Sequence, residues 1–126
     1  MSDTNFEVKD SGERREFNTG FKRDIQSSKP RFDLMVPKCI PWNKNMFYRL
    51  ADHLRKGYEK YGYRNWEMAS TKEELISFED SMFRHFMQYI GGEIDEDHAA
   101  AIMFNIIAAE MVKYKLSQKG DTNESN

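Results

Sequence analysis

Apolar residues recur at three- and four-residue intervals in three separate stretches of the chain, which is the spacing of one face of an α-helix. The first repeat starts near Lys44, and we expect Gly57 to end or interrupt the helix that it predicts. The apolar face of this helix would consist of Met46, Phe47, Leu50, Ala51 and Leu54. We find no stretch that predicts a strand. The pattern therefore indicates an all-α protein.

The second helix is predicted to begin at Ser70 or Thr71, because Glu73 or Glu74 lies three positions later and completes a capping box. Two glycines at 91–92 should stop it. Its apolar positions are Leu75, Phe78, Met82, Phe86 and Tyr89.

The third helix is predicted to open within the acidic run EIDEDH, residues 93–98. Its buried stripe would consist of Ala99, Ile102, Ile106, Ala109 and Val112. The pattern fades near Leu116, and residues 118–126 are expected to be a disordered tail. Residues 1–42 lack helical periodicity and contain all three prolines, which predicts an irregular N-terminal arm. Residues 43–117 remain as the helical catalytic core.

Composition narrows the class of protein. A chain of 126 residues with a hydrophobic fraction of 39% supports one small core, so we expect a homo-oligomer. We expect a cytoplasmic protein without membrane contact, because the chain shows neither a signal peptide nor a run of about 20 apolar residues. Cys39 is the single cysteine, which excludes an internal disulfide. The net charge of −2 argues against direct nucleic-acid binding.

Charge is distributed unevenly along the chain. Residues 55–64, RKGYEKYGYR, contain four cations and one anion, whereas residues 93–98 contain four anions and no fixed cation. Acids in the first turn of a helix complement its dipole by about 0.3–1 kcal/mol each, which accounts for one or two of them. Four in five positions repel one another. The basic segment and the acidic run are therefore expected to face each other, or to bind something between them.

The acidic run is also a candidate metal site. Glu93 and Asp97 are four residues apart, so we expect them to share one face of the third helix, and carboxylate oxygens suit Mg²⁺ or Mn²⁺. Further candidate metal ligands are Glu79, Asp80 and Glu96.

Several polar residues fall among apolar helix positions. His98 and Asn105 are seven residues apart and therefore share a helix face, as either a satisfied core pair or a functional pair. Arg84 and His85 form a doublet on the second helix, where Arg84 could bind a ligand or simply pair with Asp80. The position of this doublet beside core residues favours ligand contact.

Four segments together resemble a known family. They are SGERREFNTGFKRD (11–24), KPRFDLMVP (29–37), GYEKYGYRNWE (57–67) and SMFRHFMQYIGGEIDEDHAAAIMFN (81–105). The motifs KYG-x-RNW, RH and GE-x-DEDH in this order are similar to those of the phage-encoded dATP/dGTP diphosphohydrolases, which are related to the MazG-type all-α nucleoside triphosphate pyrophosphohydrolases. The resemblance implies a small MazG-like helical bundle that assembles as a dimer or tetramer.

The same resemblance implies an activity. Such enzymes use Mg²⁺, for which Mn²⁺ can substitute, to cleave purine deoxynucleoside triphosphates into the monophosphate and pyrophosphate. Acids on neighbouring helices hold the metal, as paired glutamates on one helix and E-x-x-D on the next. Glu79 with Asp80, and Glu93 with Asp97, depart from that spacing.

On this basis each candidate residue receives an expected role. Catalysis is assigned to Glu93, Asp97, His98 and His85. Phosphate contacts are assigned to Lys60, Arg64 and Arg84. Asn65 is expected to read the edge of the base, while Trp66 or Tyr61 either stacks on the base or only packs between the helices. Asn105, Lys29 and Arg31 are further substrate-binding candidates, and the last two could equally be surface charges on the arm.

Two alternative functions stay open at this stage. A noncatalytic phage module that binds a nucleotide or a host protein would use the same pocket without a metal. A phosphohydrolase using His85, Asp97 and His98 in the manner of His-Asp phosphatases would release phosphate or tripolyphosphate. Hydrolysis of a panel of triphosphates with and without Mg²⁺ separates the binding module from an enzyme, and the identity of the products separates the phosphohydrolase from a pyrophosphohydrolase.

Overall fold

The structure is a computed structural model that describes residues 14–24 and 28–119. The chain divides into an N-terminal unit that ends at Met35 and a second unit that begins at Val36. The helices of the second unit form the predicted all-α bundle of MazG-like type. Within the described residues, no helix has the length and apolar character required to cross a membrane.

The N-terminal unit contains a short β-hairpin in the arm that was predicted to be irregular. Strand β1 (Arg14–Glu16) pairs antiparallel with β2 (Lys22–Asp24). Gly20 makes the turn possible because its φ of 87° is unfavourable for other residues. The backbone N–H of Phe17 donates to the carbonyl of Phe21 at 2.7 Å. Each strand consists of three charged residues and shows no apolar alternation, so the sequence pattern does not predict it.

The N-terminal unit also contains a 3-10 turn at Phe32–Leu34. Residues 1–13 and 25–27 of the predicted arm lie outside the described residues.

The first helix of the bundle, α1 (Met46–Tyr61), is longer than predicted. The side chain of Asn45 caps it by accepting from the N–H groups of Phe47 and Tyr48. Gly57 lies inside the helix, so the prediction that it ends or interrupts α1 is wrong. A glycine in a helix costs only about 1 kcal/mol relative to alanine, which tertiary packing readily offsets. The helix ends instead at Gly62, whose φ is 103°.

The second helix, α2 (Lys72–Ile90), begins and ends where the sequence indicates. Thr71 accepts from the backbone N–H of Glu74, and the Glu74 carboxylate accepts from the N–H of Thr71, which completes the capping box. The two glycines follow directly, with Gly92 at a φ of 80°. Both predicted boundaries of α2 are confirmed.

The third helix, α3 (His98–Lys119), begins after the acidic run rather than within it. Packing of α2 and α1 against α3 forms the bundle. The first two residues of the predicted tail, 118 and 119, are helical, and the rest of the tail lies outside the described residues.

The buried face of α3 differs in phase from the predicted stripe. Ala99 and Ile102 are only half-buried, and Ile106 is 41% exposed. The buried positions are His98, Ala100, Ala101, Asn105, Ala108, Ala109 and Val112. Because α3 carries apolar residues around most of its circumference, hydrophobicity alone does not fix which side is buried. Small residues and two polar ones occupy the interface, which allows close helix packing.

Candidate functional site

A cleft of about 470 Å³ opens on the bundle between α1, the turn that follows it and the acidic loop before α3. Its basic lining residues are Arg49, Lys56, Lys60 and Arg64. Its acidic lining residues are Asp52, Asp95, Glu96 and Asp97. The basic segment and the acidic run therefore face the same space, as their opposite charges predicted. A ligand that combines anionic groups with bound cations would complement these walls.

The turn after α1 has an unusual backbone. Gly62 and Arg64 both have positive φ, and Arg64 is the one described non-glycine residue in that region, at 54°. Such a conformation costs about 1 kcal/mol or more in a non-glycine residue and is concentrated at functional sites. The Arg64 guanidinium is exposed to solvent and forms an ion pair with Glu67. The turn thus holds a cation at the rim of the cleft.

Aromatic residues form one wall of the cleft. Trp66 lies in a 3-10 turn (Asn65–Met68). Its ring packs edge-on against the ring of Phe104, with the two ring centroids 5.4 Å apart. Phe104 also lies 5.4 Å from the ring of His53. Trp66 is half-buried and still lines the cleft together with Asn65. It therefore packs against the bundle and presents apolar surface to the cleft at the same time.

One lysine fixes this turn to the bundle. Lys115 on α3 donates to the backbone carbonyl of Ala69 at 2.9 Å and also to that of Glu67. These bonds join two segments that are far apart in sequence, so the aromatic wall is held against α3.

Asp97 caps α3 and forms an ion pair with α1. Its Oδ1 accepts from the backbone N–H of Ala100 at 3.1 Å. Arg49 donates to both carboxylate oxygens, at 2.6 Å and 2.9 Å. These bonds lower the pKa of Asp97 and keep it ionised. Both residues of this bidentate pair line the cleft.

The prediction that Glu93 and Asp97 share a helix face is wrong, because both precede the first residue of α3. Asp97 is more favourable as the cap of the helix than as a residue inside it, because its side chain accepts from a backbone N–H that has no partner within the helix. Glu93 is exposed and accepts a hydrogen bond from Gln88 at 3.0 Å. It is not among the residues that line the cleft.

We expect Asp97 to stabilise the fold only while its carboxyl is ionised. Because its folded pKa is lowered, the contribution is fully present above the unfolded value of about 3.9 and is lost as pH falls through the folded value. Urea unfolding at pH 7 should therefore show Asp97→Asn to be about 0.5–1 kcal/mol less stable than wild type, since the ion pair is partly exposed. Below the folded pKa the two proteins should converge. A difference that is constant with pH would contradict the role of the charge.

His85 and His98 meet inside the bundle. Their Nδ1 atoms lie 2.8 Å apart, and the residues are 7% and 2% exposed. His98 Nε2 lies 2.8 Å from Asp95 Oδ1, and this hydrogen bond lowers the pKa of Asp95. Burial lowers the pKa of His85, and the charge of Arg84 lowers it further. A continuous hydrogen-bonded path thus links the acidic loop to α2.

Other predicted site residues lie away from the cleft lining. Glu79 and Asp80 are exposed on α2, and the ion pairs of residues 28–119 include none between Asp80 and Arg84. Arg84 is exposed and lies 3.4 Å from Gln88 Oε1. Asn105 donates to the carbonyl of Ala101 at 2.8 Å, within the bundle.

Lys29 and Arg31 belong to the N-terminal unit. There Arg31 donates to both carboxylate oxygens of Asp33, at 2.8 Å and 2.7 Å.

Of the cationic and imidazole side chains that α1 contributes to the cleft, the sequence predicted Lys60 and missed Arg49, His53 and Lys56. Arg49, His53, Lys56 and Lys60 occur at intervals of four, three and four residues, which places them along one side of a helix. This polar stripe was detectable in the sequence, but the search for apolar periodicity passed over it.

A protein-family model described as dATP/dGTP diphosphohydrolase, N-terminal, matches residues 19–122. The chain belongs to that family. Every residue that lines the cleft falls within the matched range. No curated protein and no solved structure matches the chain. Membership in the dATP/dGTP diphosphohydrolase family confirms the resemblance found in the sequence and associates the chain with hydrolases.

Proposed function

We propose that this protein hydrolyses purine deoxynucleoside triphosphates, dGTP or dATP, between the α- and β-phosphates and releases the monophosphate and pyrophosphate. The cleft supports this proposal because each part of its lining suits one part of the substrate. The basic lining residues (the basic wall) suit the phosphates, the acidic lining residues (the acidic wall) suit a metal ion, and the aromatic wall suits the base. Family membership supports the same substrate class. The resemblance to phage-encoded members supports a role in phage nucleotide metabolism in the host cytoplasm.

Phosphate binding is assigned to the cations of the basic wall. Lys60 and Arg64 are exposed, so both can turn toward a triphosphate at little cost. Arg64 offers a planar fork suited to two phosphate oxygens, whereas Lys60 acts as a mobile point charge. Neutralising the phosphate oxygens lowers the barrier to attack by water.

The acidic wall fits a Mg²⁺ ion that arrives with the triphosphate. Mg²⁺ is usually held by one or two protein carboxylates, with phosphate oxygens and waters completing its shell. Asp52 pairs with Arg55 and Lys56. Asp95 pairs with His98, and Asp97 pairs with Arg49. Among the acids of the cleft in the described residues, Glu96 alone has no ion pair. Glu96 would hold Mg²⁺, with Asp97 beside it, and the ion would supply charge neutralisation at the phosphates.

The histidine pair is assigned a positioning role. His98 Nε2–H donates to Asp95, which fixes the acidic loop that carries Glu96, and His85 fixes His98 in turn. A carboxylate of this loop that is not bound to metal would orient the attacking water. The base would lie against Trp66, with Asn65 reading its edge.

A panel of nucleoside triphosphates, incubated with and without Mg²⁺, tests the proposed function. We expect turnover of dGTP or dATP that requires Mg²⁺ and is weaker with pyrimidine triphosphates. Turnover of none of them would favour a noncatalytic module that binds a nucleotide or a host protein.

We further propose that the protein is a homo-oligomer, a dimer or tetramer. The exposed side of α2 carries an apolar stripe at intervals of seven, four and three residues: Ile76, Phe83, Met87 and Ile90. Phe83 and Ile90 are 63% and 65% exposed. Apolar area of this extent along one helix is typical of a surface that a second copy covers.

Substitution of Phe83 by Glu should separate the oligomer into single chains, because a carboxylate cannot be buried in an apolar interface without a partner. Light scattering after size-exclusion chromatography measures the mass directly. Lys72→Glu changes an exposed residue at the start of the same helix and should leave the mass unchanged. A wild-type protein that elutes as a single chain would refute the oligomer.

A further inference from the structure

Two buried histidines and one acid cluster where α2, α3 and the acidic loop meet. One ligand atom each from His85, Glu96 and His98 lies within 4.8 Å of the others. The histidines are buried, whereas Glu96 is exposed and lines the cleft. The cluster therefore extends from the bundle interior to the lining of the cleft.

The hydrogen bond to Asp95 determines which nitrogen of His98 is available. Nε2 must carry the proton that it donates to the carboxylate, so Nδ1 keeps its lone pair and points at His85. A carboxylate that holds the far nitrogen of an imidazole is the usual outer partner of a histidine that binds metal. His98 is thus oriented as a metal ligand rather than only as a packed core residue.

The separation of the two imidazoles suits a metal ion. Metal–nitrogen bonds of about 2.0–2.1 Å place two nitrogen ligands roughly 2.9–3.3 Å apart at angles between square and tetrahedral. The two Nδ1 atoms are 2.8 Å apart. The ring centroids are 5.1 Å apart, so the two nitrogens face each other head-on. An ion could replace the shared proton once His85 carries its proton on Nε2 and both rings turn so that their Nδ1 lone pairs meet at the ion.

We propose that His85, His98 and Glu96 bind a divalent transition-metal ion such as Zn²⁺, at a site separate from the Mg²⁺ that accompanies the substrate. Two imidazoles and one carboxylate select ions of this class over Mg²⁺, which prefers oxygen ligands. Three protein ligands leave a position open, as in metal sites that also bind water or substrate. Glu96 lines the cleft, so that position adjoins the proposed triphosphate site. Its two oxygens allow it to serve both ions.

Titration of Co²⁺ into the metal-stripped full chain tests this site without any measurement of activity. Nucleotide is omitted, Mg²⁺ is present in large excess, and the visible absorption of the ion reports its ligands. We expect one Co²⁺ per chain, displaced by Zn²⁺ and not by Mg²⁺. Asp95→Asn should weaken binding about 10- to 100-fold, since it removes the outer partner of His98.

Three variants identify the ligands. His85→Gln and Glu96→Gln should weaken Co²⁺ binding more than Asp95→Asn does, and Glu96 is exposed, so its substitution preserves the fold. His53→Gln is the matched control, because it removes the third histidine of the chain, which lines the cleft outside the cluster. The proposal would be overturned if Glu96→Gln and His85→Gln bound Co²⁺ as wild type does, or if His53→Gln alone lost binding. It would also be overturned if Mg²⁺ displaced Co²⁺ or if the wild-type protein bound no Co²⁺. Mg²⁺-dependent hydrolysis is scored separately, so either proposal can fail without the other.

Discussion

Replacement of Glu96 by Gln should reduce Mg²⁺-dependent hydrolysis by about 100-fold or more, the scale seen when one preorganised electrostatic contact is removed from a reaction centre. The substitution keeps the size of the side chain and deletes the charge. Glu96 is exposed and forms no ion pair with another described residue. The free energy of unfolding should therefore stay within about 0.5 kcal/mol of wild type.

The comparison requires a carboxylate that is remote from the cleft. Glu110 on α3 is exposed and, among the described residues, pairs only with Lys113 one turn away, so Glu110→Gln should retain wild-type turnover. Initial rates at saturating dGTP and a urea unfolding curve are measured for each protein. If Glu96→Gln turned over dGTP at the wild-type rate, Glu96 would not hold the metal and the acidic wall would need another role.

Removal of the cations of the basic wall should weaken triphosphate binding strongly and nucleoside binding little. A charge-assisted contact is worth about 1.5–3 kcal/mol, so loss of either Lys60 or Arg64 should weaken binding by roughly 10- to 100-fold. Deoxyguanosine lacks the phosphates and should bind all proteins alike. Calorimetry with a nonhydrolysable dGTP analogue measures both affinities.

The backbone at Arg64 permits a sharper variant than alanine. Because its φ is 54°, Arg64→Gly removes the guanidinium and also removes the conformational cost of that region. This variant should bind the analogue weakly while folding at least as stably as wild type. Lys113→Ala removes an exposed cation of α3 and is the control. Equal binding of the analogue by wild type and by both Lys60→Ala and Arg64→Gly would exclude this wall as the phosphate site.

The features that sequence predicts well are those with local causes. The capping box at Thr71 and the glycine stop after α2 depend on side chains a few residues apart, and both are confirmed. The shared face of His98 and Asn105 follows from helix geometry alone, and both are buried on α3. The opposite charges of two distant segments also predicted correctly that they face one space.

The features that sequence predicts poorly depend on tertiary contacts. Asp97 was expected inside a helix, but its bonds to Arg49 and to the N–H of Ala100 make it the cap. The buried face of α3 is set by its contact with α2. Because α3 has apolar residues on every side, their spacing does not show which side is buried. The approach of His85 to His98 joins two helices, and the pattern within either helix does not encode the distance.

The proposed cleavage proceeds by attack of water at the α-phosphorus, with pyrophosphate as the leaving group. Hydrolysis of dGTP by the wild-type protein with Mg²⁺ in ¹⁸O-labelled water, analysed by mass spectrometry, tests it most directly. We expect equal amounts of dGMP and pyrophosphate, with one labelled oxygen in the dGMP and no free phosphate at early times. Release of deoxyguanosine with tripolyphosphate, release of dGDP with phosphate, or label confined to the pyrophosphate would contradict this cleavage.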